Sequence, residues 1–404
     1  MCPVFTYFHF LNSSLGSSQQ PVQSHSSLPK STFDVIIVGL GAAGSAALYH
    51  TARMGATALG IDRFVPPHIY GSTHSESRLI RKAYLEGAKY LPLLNRSYTL
   101  WKELEEESSN KLLHLVGCLT ISQQESKSIR TARNTAEVGK IRHLVLSPDE
   151  VRQRYPAYRL RPDQVALLDQ EAGYIQPELC VRTHLQRAAA YGAKCQFGTP
   201  VLSCTREKNH VVVKTGQDMF TASQVILTAG SWIRDFAPVP VEINRVTNSW
   251  FLPTGPHCTP RNCPPFIMEE ADGSNNCYGC SDLGYGFKIG LHHPGKPILH
   301  PDDLDRTTHP EDEIRVRSIL KTILPEAAGK CLNTRVCMYS NTPDKDYLID
   351  RLHGDDPHFI VGSACSGHGF KVSSAVGESL AALALKKSPP VDLSPFKWRW
   401  TLNA

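Results

Sequence analysis

The stretch that most limits what this chain can become runs from Phe33 to Asp62. It opens with FDVIIV, Phe33 to Val38, a continuous apolar run of the kind needed by a parallel strand buried on both faces. Gly39, Gly41 and Gly44 follow at once as GLGAAG. Ala46 to Arg53 then reads as a helix ending near Gly55, and Thr57 to Ile61 as a second strand that ends in Asp62. Strand, GxGxxG, helix, strand and an acid about twenty residues on make a whole dinucleotide fingerprint rather than a bare glycine pattern. The glycines permit the tight turn and let a pyrophosphate approach the helix N-terminus, whose exposed N–H groups and dipole favour an anion. Asp62 is placed to accept hydrogen bonds from ribose hydroxyls. The expected class is therefore α/β, with a Rossmann-like unit at the front of the folded chain. The fingerprint does not decide between FAD and NAD.

At 404 residues the chain exceeds the size at which single cores stop growing, so two closely packed domains are expected. Its 43 basic and 38 acidic residues leave a net charge of +5, too small to point to nucleic acid. No run of about 18 or more apolar residues is present to span a membrane. Twelve cysteines without a secretory signal read as reduced thiols in a cell interior, so a cytoplasmic location is expected. Cys258, Cys263, Cys277 and Cys280 are spaced loosely like a zinc ribbon, but the first gap is long and Pro264 and Pro265 intervene, so no metal is expected. Residues 1–32 are rich in Ser and Gln, with no acid and only Lys30 as a base. They read as an extension outside the fold, either disordered or an organelle-targeting peptide, and the lack of Arg argues against targeting. The C-terminal Thr-Leu-Asn-Ala is not a peroxisomal address.

Gly71 to Tyr84 reads GSTHSESRLIRKAY and carries His74, Ser77, Arg78 and Arg81. A helix from Ser75 would put Arg78 and Arg81 on one face. Two adjacent guanidiniums call for an anion between them, and Arg grips a carboxylate in a two-pronged fork. A solvated surface pair beside Glu76 is the plainer alternative. Leu91 to Glu107 reads as an amphipathic helix, and Val211–Val213 and Val225–Leu227 as strands. The second of these leads into Thr228, Ala229, Gly230 and Trp232, a turn suited to the back of a cofactor site.

From Val241 to about Leu332 the chain shifts to short β-like runs, turns and prolines. Within it GYGFKIGLHH, Gly284 to His293, sets Lys288 and His292 among apolar residues. A lysine interleaved in this way is more often an edge or surface residue. Chemistry is densest from Cys337 to Lys371: CMYSNTPDKDYLID, then the short buried-strand run FIVG, then SACSGHGFK and a helix over Lys371–Leu385. Gly367 and Gly369, on either side of His368, let the backbone come close to a ligand, with an ordinary strand-to-helix turn as the alternative.

The fingerprint, GSTHSESRLIRKAY, GFKIGLHH, CMYSNTPD and SGHGFK, in this order and rough spacing, resemble the monomeric sarcosine oxidase family, which includes N-methyltryptophan oxidase and the peroxisomal sarcosine/pipecolate oxidases. The resemblance covers roughly Phe33 to Phe396. It implies an amino acid oxidase architecture, with a discontinuous FAD-binding domain over 33–115, 172–240 and 335–404 and a β-rich substrate domain over 116–171 and 241–334. It also implies FAD bound covalently through Cys337 and held by Gly39, Gly41, Gly44, Asp62, Ser77, Gly367, His368, Gly369 and Lys371. Arg81 and Lys371 would bind the substrate carboxylate, and Tyr339 and Tyr278 would line the substrate pocket. Arg78 and His74 would lie close to the flavin, and Lys288 would activate oxygen, with His292 as the neighbouring active-site histidine.

Two departures alter the pocket lining. Cys277, Tyr278, Gly279 and Cys280 stand where relatives carry an aromatic-rich YYGxP, and Ala364 and Cys365 stand where relatives carry Gly-Phe. The implied reaction is oxidation of a secondary amino acid, such as sarcosine, N-methyltryptophan or pipecolate, to an imine by hydride transfer to the flavin, with O2 reduced to H2O2. The expected partners are that amino acid and O2, with neither nucleic acid nor membrane, and the expected state is a monomer. Two readings compete: a dehydrogenase of the same fold with another electron acceptor, which Lys288 argues against, and a silent flavin-binding protein, which Arg81, Lys371 and Lys288 argue against together.

Overall fold

The FDVIIV run lies at the centre of an eight-stranded sheet in the computed structural model, which describes residues 31–270, 272–273, 276–292, 295–352, 358–363 and 366–400. Most of the N-terminal extension, the C-terminal Thr-Leu-Asn-Ala and the departures at Ala364 and Cys365 lie outside the described residues. Strand Ser31–Val38 pairs in parallel with Ala58–Ile61 on one side and with Met219–Leu227 on the other. Lys194–Gln196 extends the parallel set past Ala58–Ile61, and Phe359–Ser363 pairs in parallel with the end of Met219–Leu227. A run that alternated polar and apolar would have exposed one face. Val35, Ile36 and Ile37 instead have no accessible surface, and burying each contributes on the order of 1.5–3 kcal/mol.

Successive side chains of this strand enter different cores. Val35 and Ile37 pack with helices Ala42–Arg53, Leu91–Ser108, Pro177–Ala190 and Ser373–Ala384, while Ile36 and Val38 pack with Val225, Leu227 and Ile233. Helices Ala42–Arg53 and Ser373–Ala384 cross so closely that a Cβ on Gly377 would fall 2.4 Å from the Ala46 Cβ. The helix after the glycine loop begins at Ala42, one turn before the expected Ala46.

A nine-stranded sheet forms the second layer. Its longest members are Glu242–Phe251 and Cys331–Asn341, antiparallel along almost their whole length, and Phe287–Leu291 pairs with the far half of the former. Cys277–Cys280, Phe266–Met268, Cys118–Gln123, Gln164–Asp169 and His143–Leu146 continue the sheet. Residues 335–341, grouped above with the FAD-binding part, thus run in this sheet. The region from Val241 is also more regular than its prolines suggest, since it holds a ten-residue strand and the 14-residue helix Pro310–Ile323.

The segment carrying Arg78 and Arg81 is not helical. Ser75 and Glu76 both take left-handed backbone angles, φ 84° and 58°, which end any right-handed helix, and Arg78–Ile80 forms a strand against Gly173–Ile175. Among the described residues no helix is long and apolar enough to cross a membrane.

Candidate active site

A cavity of about 520 Å³ runs from the first glycine loop to the last, within the roughly 300–1,000 Å³ range of small-molecule and cofactor sites. At one end it is lined by Gly39 to Ala43, Asp62 and Thr228 to Trp232. At the other it is lined by Arg78, Arg81, Tyr278, His292, Cys337, Tyr339 and Gly367 to Lys371.

The first end is made mainly of backbone. Gly39 sits at φ +89°, and a Cβ there would lie 2.6 Å from the Thr228 carbonyl oxygen. A Cβ on Gly44 would lie 1.8 Å from the Gly39 oxygen. Gly41 is different: its nearest neighbour would be the Thr73 hydroxyl at 3.6 Å, so the approach to the helix start stays open. No side chain caps that helix, which leaves the N–H groups of its first turn for a ligand. Asp62 is fixed at the end of its strand by the amides of Leu40 at 2.7 Å and Phe64 at 2.8 Å. An uncapped helix start, an open glycine and an anchored carboxylate fit the pyrophosphate and ribose of a dinucleotide.

The second end is made of buried charge. Arg81, 3% exposed, donates to the Ala83 carbonyl at 3.3 Å and pairs with the Glu86 carboxylate at 3.4 Å. Burial pushes the Glu86 carboxyl up, but the charge of Arg81, with His368 and Lys371 beside it, outweighs this and holds it down at about 2. Lys371 Nζ donates to the Tyr84 hydroxyl at 3.1 Å and to the His368 carbonyl at 2.7 Å. Burial and the neighbouring Arg81 bring its pKa down to about 7. Two buried cations facing one carboxylate leave a site ready for a second anion.

The same end of the cavity also has a wall of polar rings. Tyr278 donates to Asn248 Oδ1 at 2.8 Å, and His292 Nδ1 lies 3.3 Å from the Tyr339 hydroxyl. Burial lowers the His292 pKa, so its ring is neutral near pH 7. Cys337 faces the cavity from the middle of strand Cys331–Asn341, with its Sγ 3.9 Å from the Ser72 carbonyl oxygen. Arg78 is held by the carbonyls of Ser77 and Ser72, each at 2.9 Å.

Three expected residues stand one layer behind this wall. Lys288 is neither at an edge nor on the surface: it is 2% exposed, and its strand lies between Glu242–Phe251 and Cys277–Cys280. Its Nζ donates to the carbonyls of Ser75, at 2.9 Å, and Ser77, and burial with the nearby Arg78 lowers its pKa to about 7. Ser77 reaches it through that carbonyl. His74 is held neutral by burial, its pKa about 3, with Nδ1 2.8 Å from Ser75 Oγ and Nε2 buried without a hydrogen-bond partner among the described residues. The four ribbon-like cysteines are buried, and among the described residues no group of three or more ligands could hold a metal.

The sequence reading missed Tyr84, Glu86 and Asn248. An acid five residues after Arg81 is a detectable signal for Glu86. Asn244 and Asn248 are buried amides on one long strand, and buried amides require partners inside the fold.

Residues 34–383 match the FAD dependent oxidoreductase family. The chain is 34% identical over 367 residues to N-methyl-L-tryptophan oxidase of Citrobacter koseri, covering 90% of this chain and 98% of that enzyme. It is also 34% identical over 363 residues to monomeric sarcosine oxidase of Streptomyces avermitilis, covering 88% and 94%. Among solved structures, NikD, described as an unusual amino acid oxidase essential for nikkomycin biosynthesis, aligns with a TM-score of 0.81 at 19% identity, covering 91% of this chain and 98% of that one. Glycine oxidase from Geobacillus kaustophilus aligns at 0.78 and 16%, covering 93% and 100%. These two likenesses establish the fold. On sequence, the chain belongs to the FAD dependent oxidoreductase family, in the group that holds the N-methyl-L-tryptophan oxidases and monomeric sarcosine oxidase.

Proposed function

We propose that this protein oxidises the carbon–nitrogen bond of a small secondary amino acid, N-methylated or cyclic, with O2 as the electron acceptor and H2O2 as the by-product. The observation that carries the reading is the buried pair Arg81 and Lys371 at the end of the cavity away from the dinucleotide loop. FAD, when bound, supplies a two-electron acceptor for hydride that O2 can reoxidise.

The chain's own residues do the rest. Gly39, Gly41, Gly44 and Asp62 would hold the dinucleotide. Gly367, His368 and Gly369 would close on it from the other side, and Cys337 is the thiol that would carry it covalently. Arg81 and Lys371 take the substrate carboxylate, and fixing that end sets the register of the α C–H. Positioning of this kind can supply several kcal/mol of barrier lowering. An arriving carboxylate favours the charged form of Lys371, a group poised near neutrality. The amine must be unprotonated to give up a hydride, and the neutral ring of His292 can take its proton. Arg78, in the cavity wall, and Lys288, behind it, would supply positive charge beside a bound flavin, which favours its reduced form and its reaction with O2.

The test is anaerobic mixing of the purified yellow protein with sarcosine, N-methyltryptophan, pipecolate and proline. Bleaching with at least one of them, followed by recovery of colour and release of H2O2 on admitting air, is expected. A flavin that no carboxylated secondary amine reduces overturns the reading. Acid precipitation of the same protein is expected to leave the colour in the pellet, and Cys337→Ser to release it. Colour found wholly in the wild-type supernatant removes the covalent attachment alone.

A further inference from the structure

Beside Lys371 lie two phenols that the reaction above does not use, both held on the imidazole of His368. Tyr84 and Tyr347 have no accessible surface, and neither lines the cavity. The Tyr84 hydroxyl is 2.7 Å from His368 Nδ1, the Tyr347 hydroxyl is 2.8 Å from the same nitrogen, and the two oxygens are 3.0 Å apart.

The protons of this cluster can be assigned by elimination. His368 Nε2 lies 3.1 Å from the Lys345 carbonyl oxygen, which only accepts, so Nε2 carries the hydrogen and Nδ1 a lone pair. Burial, which lowers the His368 pKa to about 4, agrees with that neutral form. One lone pair takes one hydrogen well. The phenol that does not donate to it has the His368 carbonyl, 3.3 Å from Tyr84 and 3.1 Å from Tyr347, or the other phenol. In every arrangement both hydroxyl hydrogens stay within the cluster, and the Tyr84 oxygen is left to accept from Lys371 Nζ at 3.1 Å. A second hydrogen of Lys371 goes to the His368 carbonyl at 2.7 Å. The Trp101 indole holds the Lys371 carbonyl at 3.1 Å, which fixes the backbone, and the third ammonium hydrogen remains for the cavity that Lys371 lines.

We propose that Tyr84, itself held by His368 and Tyr347, is a positioning residue that keeps Lys371 in its ammonium form and aimed at the carboxylate of the amino acid substrate. The proposal rests on the reading of Lys371 as a carboxylate anchor and adds two tyrosines, Tyr84 and Tyr347, that do not line the cavity. The groups facing Lys371 divide in sign. Arg81 repels its charge, Glu86 favours it, and Cys118, held as a neutral thiol by burial, and the neutral rings of His292 and His368 lie nearby. Burial and Arg81 together outweigh Glu86 and bring the pKa down to about 7, so a hydrogen bond that favours the charged form decides how far above neutrality that form survives.

The experiment uses the holoenzyme with acetate as the probe, read by perturbation of the flavin absorbance and titrated at a series of pH values. Wild-type protein is expected to bind acetate and to lose affinity as pH rises through the titration of Lys371. Tyr84→Phe is expected to move that alkaline midpoint down by roughly half a unit to one unit. Tyr347→Phe leaves Tyr84 as the sole donor to Nδ1, and therefore a firmer acceptor, so its midpoint stays at the wild-type value or moves up. An unmoved midpoint in Tyr84→Phe with acetate still bound, or a downward shift in Tyr347→Phe, overturns the proposal. Should Tyr84→Phe fail to fold, the direction of the Tyr347→Phe shift decides. Failure of the wild-type holoenzyme to bind acetate at any pH overturns the anchor reading itself and the proposal with it.

Discussion

The two ends of the cavity are built from different materials. Around Gly39, Gly41 and Gly44 the surface is backbone, held by a strand and a helix whose positions a single methyl group would disturb. Around Arg81 and Lys371 it is side-chain charge, buried and mutually dependent, with Glu86 paired to Arg81 outside the cavity lining. The first end can bind but has little to titrate. The second is responsive because each of its charges is costly to bury without the others.

The contrast is sharpest for substitutions that should disable one end and spare the other. Gly44→Val places carbon on the Gly39 carbonyl, a contact with no room to relax. The flavin-to-protein absorbance ratio is expected to fall by about tenfold or more, from a clash costing on the order of 1–3 kcal/mol. Normal flavin content would show that the loop is not the rigid element described. Arg81→Met should do the opposite, leaving flavin content unchanged. It removes one of the two cations proposed to take the substrate carboxylate, a loss of about 2–5 kcal/mol of binding, so kcat/KM is expected to drop by about 100-fold or more. A loss of flavin instead would merge the two ends into one unit.

The smaller effect concerns pH. Lys288 titrates at about 7, so its charge is complete below that value and lost as pH rises through it. Stopped-flow reoxidation by O2 is expected to slow across the same range. In Lys288→Met, reoxidation should be about 100-fold slower and nearly independent of pH, with reduction much less affected. Equal slowing of both half-reactions would take Lys288 out of the oxygen step.

The same contrast explains what could be read from the chain. The backbone-built end was legible because its constraints are local: a buried parallel strand forces an apolar run, and a tight turn forces glycine. The charged end was legible only as motifs. Its geometry depends on contacts between residues far apart in sequence, such as Tyr84 with His368 or Lys288 with Ser75. Arg78 and Arg81 were expected on a helix because a three-residue spacing suits one. The left-handed Ser75 and Glu76 that prevent it are not glycines and give no local warning. Lys288 looked like a surface lysine because alternation alone cannot tell an edge strand from a central one. Only the order of strands in the finished sheet separates them.

Cys337 and the glycine loop approach the cavity from different sheets, the thiol on strand Cys331–Asn341 and the loop after Ser31–Val38. A flavin bonded to the thiol and cradled by the loop would act as a rivet between the two sheets. The sheets would then have to close before that bond could form, since only their meeting brings a group seated in the loop within reach of the sulphur.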